Sequence, residues 1–395
     1  MKARLLILAP SYPPSKDGVA NAAALLAEGL AARGHEITVG TIWHPERAPS
    51  APGSNPTVKH FKLQGSPSWT DPVRGETTQL KQLVANFRGD AVLCLCTDAA
   101  PTTLAVQVFA EVSAPKILIS HGFPLHHKVP WHRKFPWGLG TWLAWQPFLW
   151  QLPWLLRKFD RLVFLSRQRD FGRFLDHRVA HLFARHRIHI IPNGVEWKSA
   201  PADRSDFRRT HGLQDTLLFL CVAYYCDLKN QLMALRAYRR ARIPNSALVF
   251  IGAELNEYSR QMQQLDQQLA PAFPEGRVLL LEKLDRGPTE AAFATMDAFV
   301  LASKTEAQPI VLLESMAAAK PFLSTDVGCV RELPGGLVIR DEAEMTREMQ
   351  RLAAEPQLRA SLGDAGHREY MAKYRKDVVL DAYEKLIPDL LDARC

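Results

Sequence analysis

Apolar positions along this chain fall into short unbroken runs separated by stretches of helical period, and the two alternate almost throughout. Runs rich in Ile, Leu and Val at residues 4–9, 37–42, 91–96, 116–120, 161–165 and 188–191 predict buried strands. Amphipathic helices over 20–32, 78–87 and 102–112 lie among them. After a polar stretch at 196–215 the pattern restarts, with strands over 217–222, 247–251, 278–281, 298–302 and 321–324. Its helices fall at 231–242, 255–269, 289–296 and 309–319, and the tail at 358–391 is helical with a break near 373–376. Strand, helix, strand in this order predicts parallel sheets with right-handed crossovers. The expectation is an α/β protein of two doubly wound domains, 1–195 and 196–375, facing a cleft onto which the carboxyl ends of the strands open.

One segment breaks the alternation. Residues 135–156 run for 22 positions without a charge, a length that could span a bilayer. Pro136, Pro147, Pro153, Gln146 and Gln151 interrupt it, and a span here would put the rest of one sheet across the membrane. Six of the nine Trp fall between Trp131 and Trp154, and eight of the 13 His between His121 and His189. Between Gly122 and Ile190, twelve Lys or Arg face three Asp, an excess of nine on a chain of net charge +8, so the remainder sums to about −1. A basic, aromatic band on an otherwise neutral chain fits an anionic surface, either a membrane or a polyphosphate. The candidate membrane-facing residues are Trp131, Trp137, Trp142, Trp145, Trp150 and Trp154, with Arg133, Lys134, Arg157 and Lys158 flanking them. A Trp-rich core helix or a subunit interface is the alternative reading.

Composition narrows the class further. With 47% hydrophobic and 23% charged residues, the chain is neither disordered nor collagenous nor a disulfide scaffold. Its six Cys contain no Cys-x-x-Cys pair, which leaves a zinc or redox motif unsupported. Cys94 and Cys96 alternate in an apolar run and are expected as core thiols. The residues after Met1 predict a strand rather than a signal peptide, so reduced cytoplasm is the expected compartment. His177 and His181 are an i, i+4 pair, but without an acidic or Cys partner they predict no metal site. No strand is followed by Gly-x-Gly-x-x-Gly, which argues against an NAD enzyme.

The densest candidate chemistry is the stretch Ser303-Lys304-Thr305-Glu306-Ala307-Gln308-Pro309-Ile310-Val311-Leu312-Leu313-Glu314, continuing to Lys320-Pro321. A strand ends at Ala302, a loop carries Glu306, and a helix starts with Pro309, where a missing N–H costs nothing. The backbone around Gln308, Pro309, Ile310 and Val311, with the helix dipole, forms a cradle for phosphate. Glu314 falls in the second turn, so both carboxylates can line one ligand and accept hydrogen bonds from sugar and ribose hydroxyls.

Two Glu separated by seven residues before a small-residue helix and Lys-Pro resemble the signature of retaining glycosyltransferases of the two-domain GT-B fold, especially family 4. The loop Ala9-Pro10-Ser11-Tyr12-Pro13-Pro14-Ser15-Lys16-Asp17-Gly18 is similar to the family's N-terminal glycine loop, and Arg33-Gly34-His35-Glu36-Ile37-Thr38-Val39 to the segment after its first helix. His121-Gly122 matches the position of its active-site histidine. Ile191-Pro192-Asn193-Gly194-Val195-Glu196 resembles its interdomain stretch, and Leu228-Lys229-Asn230-Gln231 the region that supplies a phosphate-binding lysine. The resemblance covers nearly the whole chain in the right order.

That resemblance implies two Rossmann-like domains, the first an acceptor-side domain completed by a terminal helix from about 376–395, the second binding the nucleotide sugar. It assigns Glu306 to the donor sugar, Glu314 to the ribose, Lys229 to the diphosphate, and Gly18 and Asn193 to donor contact. His121 falls to the donor sugar or the acceptor. Two departures stand out: the usual arginine five residues before the lysine is Tyr224, with Arg286 as candidate replacement, and the usual Gly-Phe-Gly is Ala307-Gln308-Pro309. The implied activity is retaining sugar transfer from a nucleotide-diphosphate sugar to a glycan, glycolipid or lipid-linked polysaccharide precursor. There is no Asp-x-Asp, so no Mg²⁺ and no cofactor is expected. Expected partners are the donor, the acceptor and an anionic membrane, not nucleic acid, with the protein peripheral on the inner face of the cell membrane. A nucleotide-sugar 2-epimerase on the same shell, or a non-catalytic RNA-binding module, are the rival readings.

Overall fold

The computed structural model describes residues 2–51, 53–123, 137–167, 174–197 and 205–392. The chain forms two compact units, one of Met1–Gly194 with Lys376–Cys395, the other of Val195–Arg375.

In the first unit, β1 (Arg4–Ala9), α1 (Gly18–Ala32), β2 (Glu36–Ile42) and β3 (Thr57–Phe61) are followed by a small hairpin, β4 (Leu63–Gln64) and β5 (Arg74–Gly75). Then come α2 (Thr77–Ala85), β6 (Ala91–Leu95), α3 (Ala100–Ala105), β7 (Lys116–Ser120), α4 (Trp137–Arg157), β8 (Arg161–Phe164), α5 (Leu175–Phe183) and β9 (Ile188–Ile190). The seven-stranded sheet has the order β3-β2-β1-β6-β7-β8-β9, every pair parallel. Its central strands carry apolar residues at consecutive positions because helices cover both faces. Leu6, Leu8, Val92 and Leu118 belong to one core layer and Leu5, Ile7, Leu93 and Ile117 to the other. The strand order reverses direction between β1 and β6, so the loops after them diverge and leave room for a ligand.

The second unit has α6 (Ser205–Thr210), β10 (Leu217–Val222), α7 (Gln231–Ala241), β11 (Ser246–Gly252), α8 (Glu257–Leu269), β12 (Arg277–Glu282) and α9 (Arg286–Thr295). It continues through β13 (Ala298–Leu301), α10 (Ile310–Ala317), β14 (Phe322–Thr325), β15 (Gly336–Ile339), α11 (Glu342–Ala354) and α12 (Pro356–Glu369). Its parallel sheet runs β12-β11-β10-β13-β14-β15, with the reversal between β10 and β13.

The last helix, α13 (Lys376–Asp392), belongs to the first unit and packs on α1. The fit is close: a Cβ on Gly29 of α1 would lie 2.5 Å from a Leu380 methyl. Arg33 pairs with Asp381 at 2.7 Å and Glu384 at 2.6 Å, and His35 Nε2 lies 2.9 Å from Glu384.

Helix α4 answers the question left by the uncharged segment in two ways. Its 3.6-residue period turns Trp145, Phe148, Leu152 and Leu156 into the core, where Trp145 packs on Phe123 at 5.5 Å. The expectation that Trp145 faces outward is therefore corrected. Trp142, Leu143, Trp150 and Trp154 stay exposed, Trp150 by 72% and Trp154 by 62%, with Arg157 and Lys158 at the helix end. Trp131, Arg133 and Lys134 lie outside the described residues, and Trp137 opens the helix. Among the described residues no helix is long and apolar enough to cross a membrane. Cys94 is a core thiol, but β6 ends at Leu95 and Cys96 turns with φ 65°, so the two do not share a strand face.

Because Trp145 is buried and Trp150 is not, the two substitutions should separate cleanly. Trp145→Ala is expected to cost about 3–5 kcal/mol, and Trp150→Ala about 0.5 kcal/mol or less, read from urea midpoints.

Candidate active site

In the second unit, the loops after β10 and β13 emerge side by side at the carboxyl ends of paired strands. The first carries Lys229 and the second Glu306. Lys229 Nζ lies 2.5 Å from Glu306 Oε1, which also accepts a hydrogen bond from Ser303 Oγ at 2.8 Å. Both side chains are mostly buried yet keep an outward edge. The loops are tied again where Lys304 N donates to Leu228 O at 2.9 Å and the Lys304 ammonium pairs with Asp227.

A third loop props up Glu306 from behind. Thr325 Oγ1 donates to Ser303 O at 2.7 Å, and Cys329 N donates to Ala307 O at 3.1 Å. Gly328, at φ 51°, lets that loop approach: a Cβ there would lie 2.2 Å from Ala307 O and 2.3 Å from Glu306 O. Gln308 is buried beside Cys329.

Pro309 is not the first helical residue. Its ψ of 110° is extended, which makes it the N-cap, and α10 begins at Ile310. Proline offers no side-chain oxygen to cap the helix, so the amides of Ile310 and Val311 lack a carbonyl one turn back and remain donors for a ligand.

The predicted second carboxylate has a different partner from the first. Glu314 is buried and receives Arg286 at 2.5 Å, while Arg286 also reaches Glu290 at 2.6 Å. Burial raises the Glu314 pKa, opposed by the Arg286 guanidinium. Burial works against the Arg286 cation in turn, but Glu314 and Glu290 outweigh it and raise its pKa. Arg286, the expected substitute for the arginine missing at Tyr224, thus has two carboxylate partners.

In the first unit, His121 follows β7 directly. Its Nε2 is enclosed without a hydrogen-bond partner among the described residues, and burial lowers its pKa from 6.5 to about 4, with Asp17 opposing. The ring is therefore neutral at pH 7, able to accept or donate one proton in a hydrogen bond. Asp17 caps α1 by accepting from Ala20 N at 2.9 Å and holds Ser11 Oγ at 2.8 Å; Gly18, the next residue, opens the helix at the surface. Asn193 is buried close to the end of this stretch of the unit.

Ser303 and Asp17 were not singled out as site residues. Asp17 had a readable signal, an N-cap aspartate before a helical run, whereas the role of Ser303 depends on how the loop folds. His177 and His181 bring their Nε2 atoms within 3.2 Å, and among the described residues no group of three or more His, Cys, Asp or Glu is arranged to hold a metal ion.

Two family models match this chain: "Glycosyltransferase Family 4" over residues 16–197 and "Glycosyl transferases group 1" over 214–355. Glycosyltransferase 1 domain-containing protein 1 of Xenopus tropicalis is 22% identical over 223 residues, 52% of this chain and 62% of the relative. The lipopolysaccharide core biosynthesis glycosyltransferase LpsE of Rhizobium meliloti is 30% identical over 105 residues, 25% of this chain and 31% of its own. The chain thus spans less than two thirds of either relative. The crystal structure of Anabaena Alr3699/HepE in complex with UDP and glucose superposes with a TM-score of 0.73 at 15% identity, covering 98% of this chain and 100% of that one. The likeness shows the fold, two Rossmann-like domains of the GT-B type.

Two outcomes follow from the geometry. Gly328→Ala should destabilise the second unit by about 1–3 kcal/mol, since its Cβ meets backbone rather than a movable side chain; thermal unfolding measures it. His121 has a folded pKa below its unfolded value, so its contribution to stability is complete above pH 6.5 and is lost as pH falls toward about 4. His121→Gln should lose less stability than the parent over that window, measured as the shift of urea midpoint with pH.

Proposed function

The chain belongs to the family 4, group 1 glycosyltransferases, and from that premise we propose that it transfers a sugar from a nucleotide-diphosphate sugar to a glycan acceptor, with retention of anomeric configuration and without a metal ion. The observation that carries this reading is the Lys229–Glu306 pair at the β10/β13 reversal, beside the uncapped amides of α10. A diphosphate would take the cation and the amides, and the donor sugar's hydroxyls would take Glu306. As the bond from anomeric carbon to diphosphate oxygen breaks, negative charge grows on the leaving phosphate, where Lys229 and the α10 amides stabilise it. The acceptor oxygen bonds to the anomeric carbon on the same face and passes its proton to the departing phosphate. Glu314 would receive the ribose hydroxyls, with Arg286 holding that buried carboxyl in place. Gly18 and Asn193 remain donor-contact candidates, and His121 would face the sugar as a neutral imidazole.

The acceptor proposed is a glycolipid or lipid-linked polysaccharide precursor met at the inner face of the cell membrane. Support comes from the name of the LpsE relative and from the outward stripe of α4. Beyond Trp150 and Trp154 the stripe adjoins exposed Leu182 and Phe183 of α5, and the Arg157 guanidinium sits over the Phe183 ring at 5.6 Å. Indole at headgroup depth with basic residues beside it is the chemistry of interfacial binding.

A thermal-shift screen of nucleotide sugars should identify the donor, because a ligand of the folded state raises the melting temperature. With that donor, Lys229→Met and Glu306→Gln are each expected to lower kcat by about 10²–10³-fold, the product should keep the donor's anomeric configuration by NMR, and EDTA should leave the rate unchanged. Interconversion of donors without acceptor would instead indicate the epimerase. In flotation assays, Trp150→Gln with Trp154→Gln should weaken binding to anionic vesicles without lowering the melting temperature; equal flotation of parent and variant would remove the membrane from the proposal.

A further inference from the structure

Asp176, the second residue of α5, has a fully buried carboxylate with no ion-pair partner among the described residues. Four neutral donors satisfy it: Ser120 Oγ at 2.5 Å, Thr97 Oγ1 at 2.7 Å, His177 N at 3.0 Å and Phe123 N at 3.2 Å. Two of these four come from residues on either side of His121. Ser120 Oγ, while donating to Asp176, accepts from Gly122 N at 3.0 Å, and Phe123 O accepts from Leu175 N at 3.2 Å. Gly122 makes the turn at φ 84°. Phe123 is clamped from its other side by the rings of Trp145 and Phe148 at 5.5 and 5.6 Å. Residues 120, 122 and 123 are thus each fastened, while the His121 ring itself has no partner at Nε2.

We infer that Asp176 is the positioning residue for His121, holding the four-residue turn Ser120–Phe123 so that the imidazole presents an unpaired Nε2 to the bound sugar. This rests on the transferase reading for its catalytic consequence, though not for its geometry. A buried carboxylate is costly to keep without a cation, and burial raises the pKa of Asp176 against the four hydrogen bonds. A staple serving only to join α5 to the sheet could be made from apolar contacts at lower cost. A carboxylate differs in that its two oxygens fix several donors of one turn in direction as well as distance.

The contrast between two hydroxyls tests this. Ser120→Ala and Thr97→Val each delete one hydrogen bond to the same carboxylate, but only Ser120 belongs to the His121 turn. Ser120→Ala and Asp176→Asn should lower kcat by about 10- to 100-fold with donor KM within about twofold, and Thr97→Val should leave both unchanged. In the His121→Ala background, Asp176→Asn should cost nothing further. The readout independent of turnover is the His121 Cε1–H signal in NMR: its titration, near pH 4 in the parent, should move toward 6.5 in Ser120→Ala and stay in place in Thr97→Val. Equal shifts in the two hydroxyl variants, or none in either, would overturn the positioning role. If His121 responds as expected and no donor is turned over, the transferase reading fails while the placement of His121 stands. Should Asp176→Asn fail to fold, the two hydroxyl variants decide alone.

Discussion

The Lys229–Glu306 ion pair joins the two loops that leave the second sheet at its reversal point. The loops after β10 and β13 leave paired strands where the strand order reverses, the place at which a parallel sheet offers room to a ligand. Opposite charges within hydrogen-bond distance tie the two loops together in a partly buried place. The supporting loop at Gly328, the Lys304–Asp227 pair and the uncapped start of α10 all gain their meaning from it.

The molecule stabilises buried acids in three distinct ways. Glu306 has a lysine and a serine hydroxyl. Glu314 has an arginine shared with Glu290, so two carboxylates balance one guanidinium and burial still leaves Glu314 less acidic than usual. Asp176 has only neutral donors. The first two arrangements set a cation against the acid, and each cation keeps part of its side chain exposed. The third exchanges nothing with solvent and serves to fix backbone, which matches its distance in kind, from binding to bracing.

Much of this was readable before any coordinates. β7 and β10 fall on the residues their apolar runs predict, and the break before α13 lies at the foreseen place. What the pattern missed shares a physical cause. β3 is an edge strand with exposed Lys59, β15 has four residues after Pro334-Gly335, and α11 shows few apolar positions among its charges. Each depends on tertiary pairing more than on its own periodicity. α9 starts three residues early because Gly287-Pro288 reads as a turn, yet proline is tolerated in a first turn. Within the candidate site, Glu306 and Glu314 were visible as spacing and Lys229 through the family resemblance. The Arg286 bridge and the four donors around Asp176 were not, since the residues involved come from separate stretches of chain and only folding brings them together.

The chain passes between its two units at Gly194–Val195 and again at Arg375–Lys376, two points held side by side where Val195 N donates to Tyr374 O at 2.8 Å and Tyr370 OH donates to Val195 O at 3.2 Å. During synthesis this inverts the usual order of completion. The β-sheet of the first unit leaves the ribosome early, but the small-residue face around Gly29 on α1, together with Arg33 and His35, waits for α13, which follows every residue of the second unit. The second unit holds all of its own residues before α13 is made, whereas the first still shows an open seam, so the part of the molecule begun first is the one whose core is sealed last.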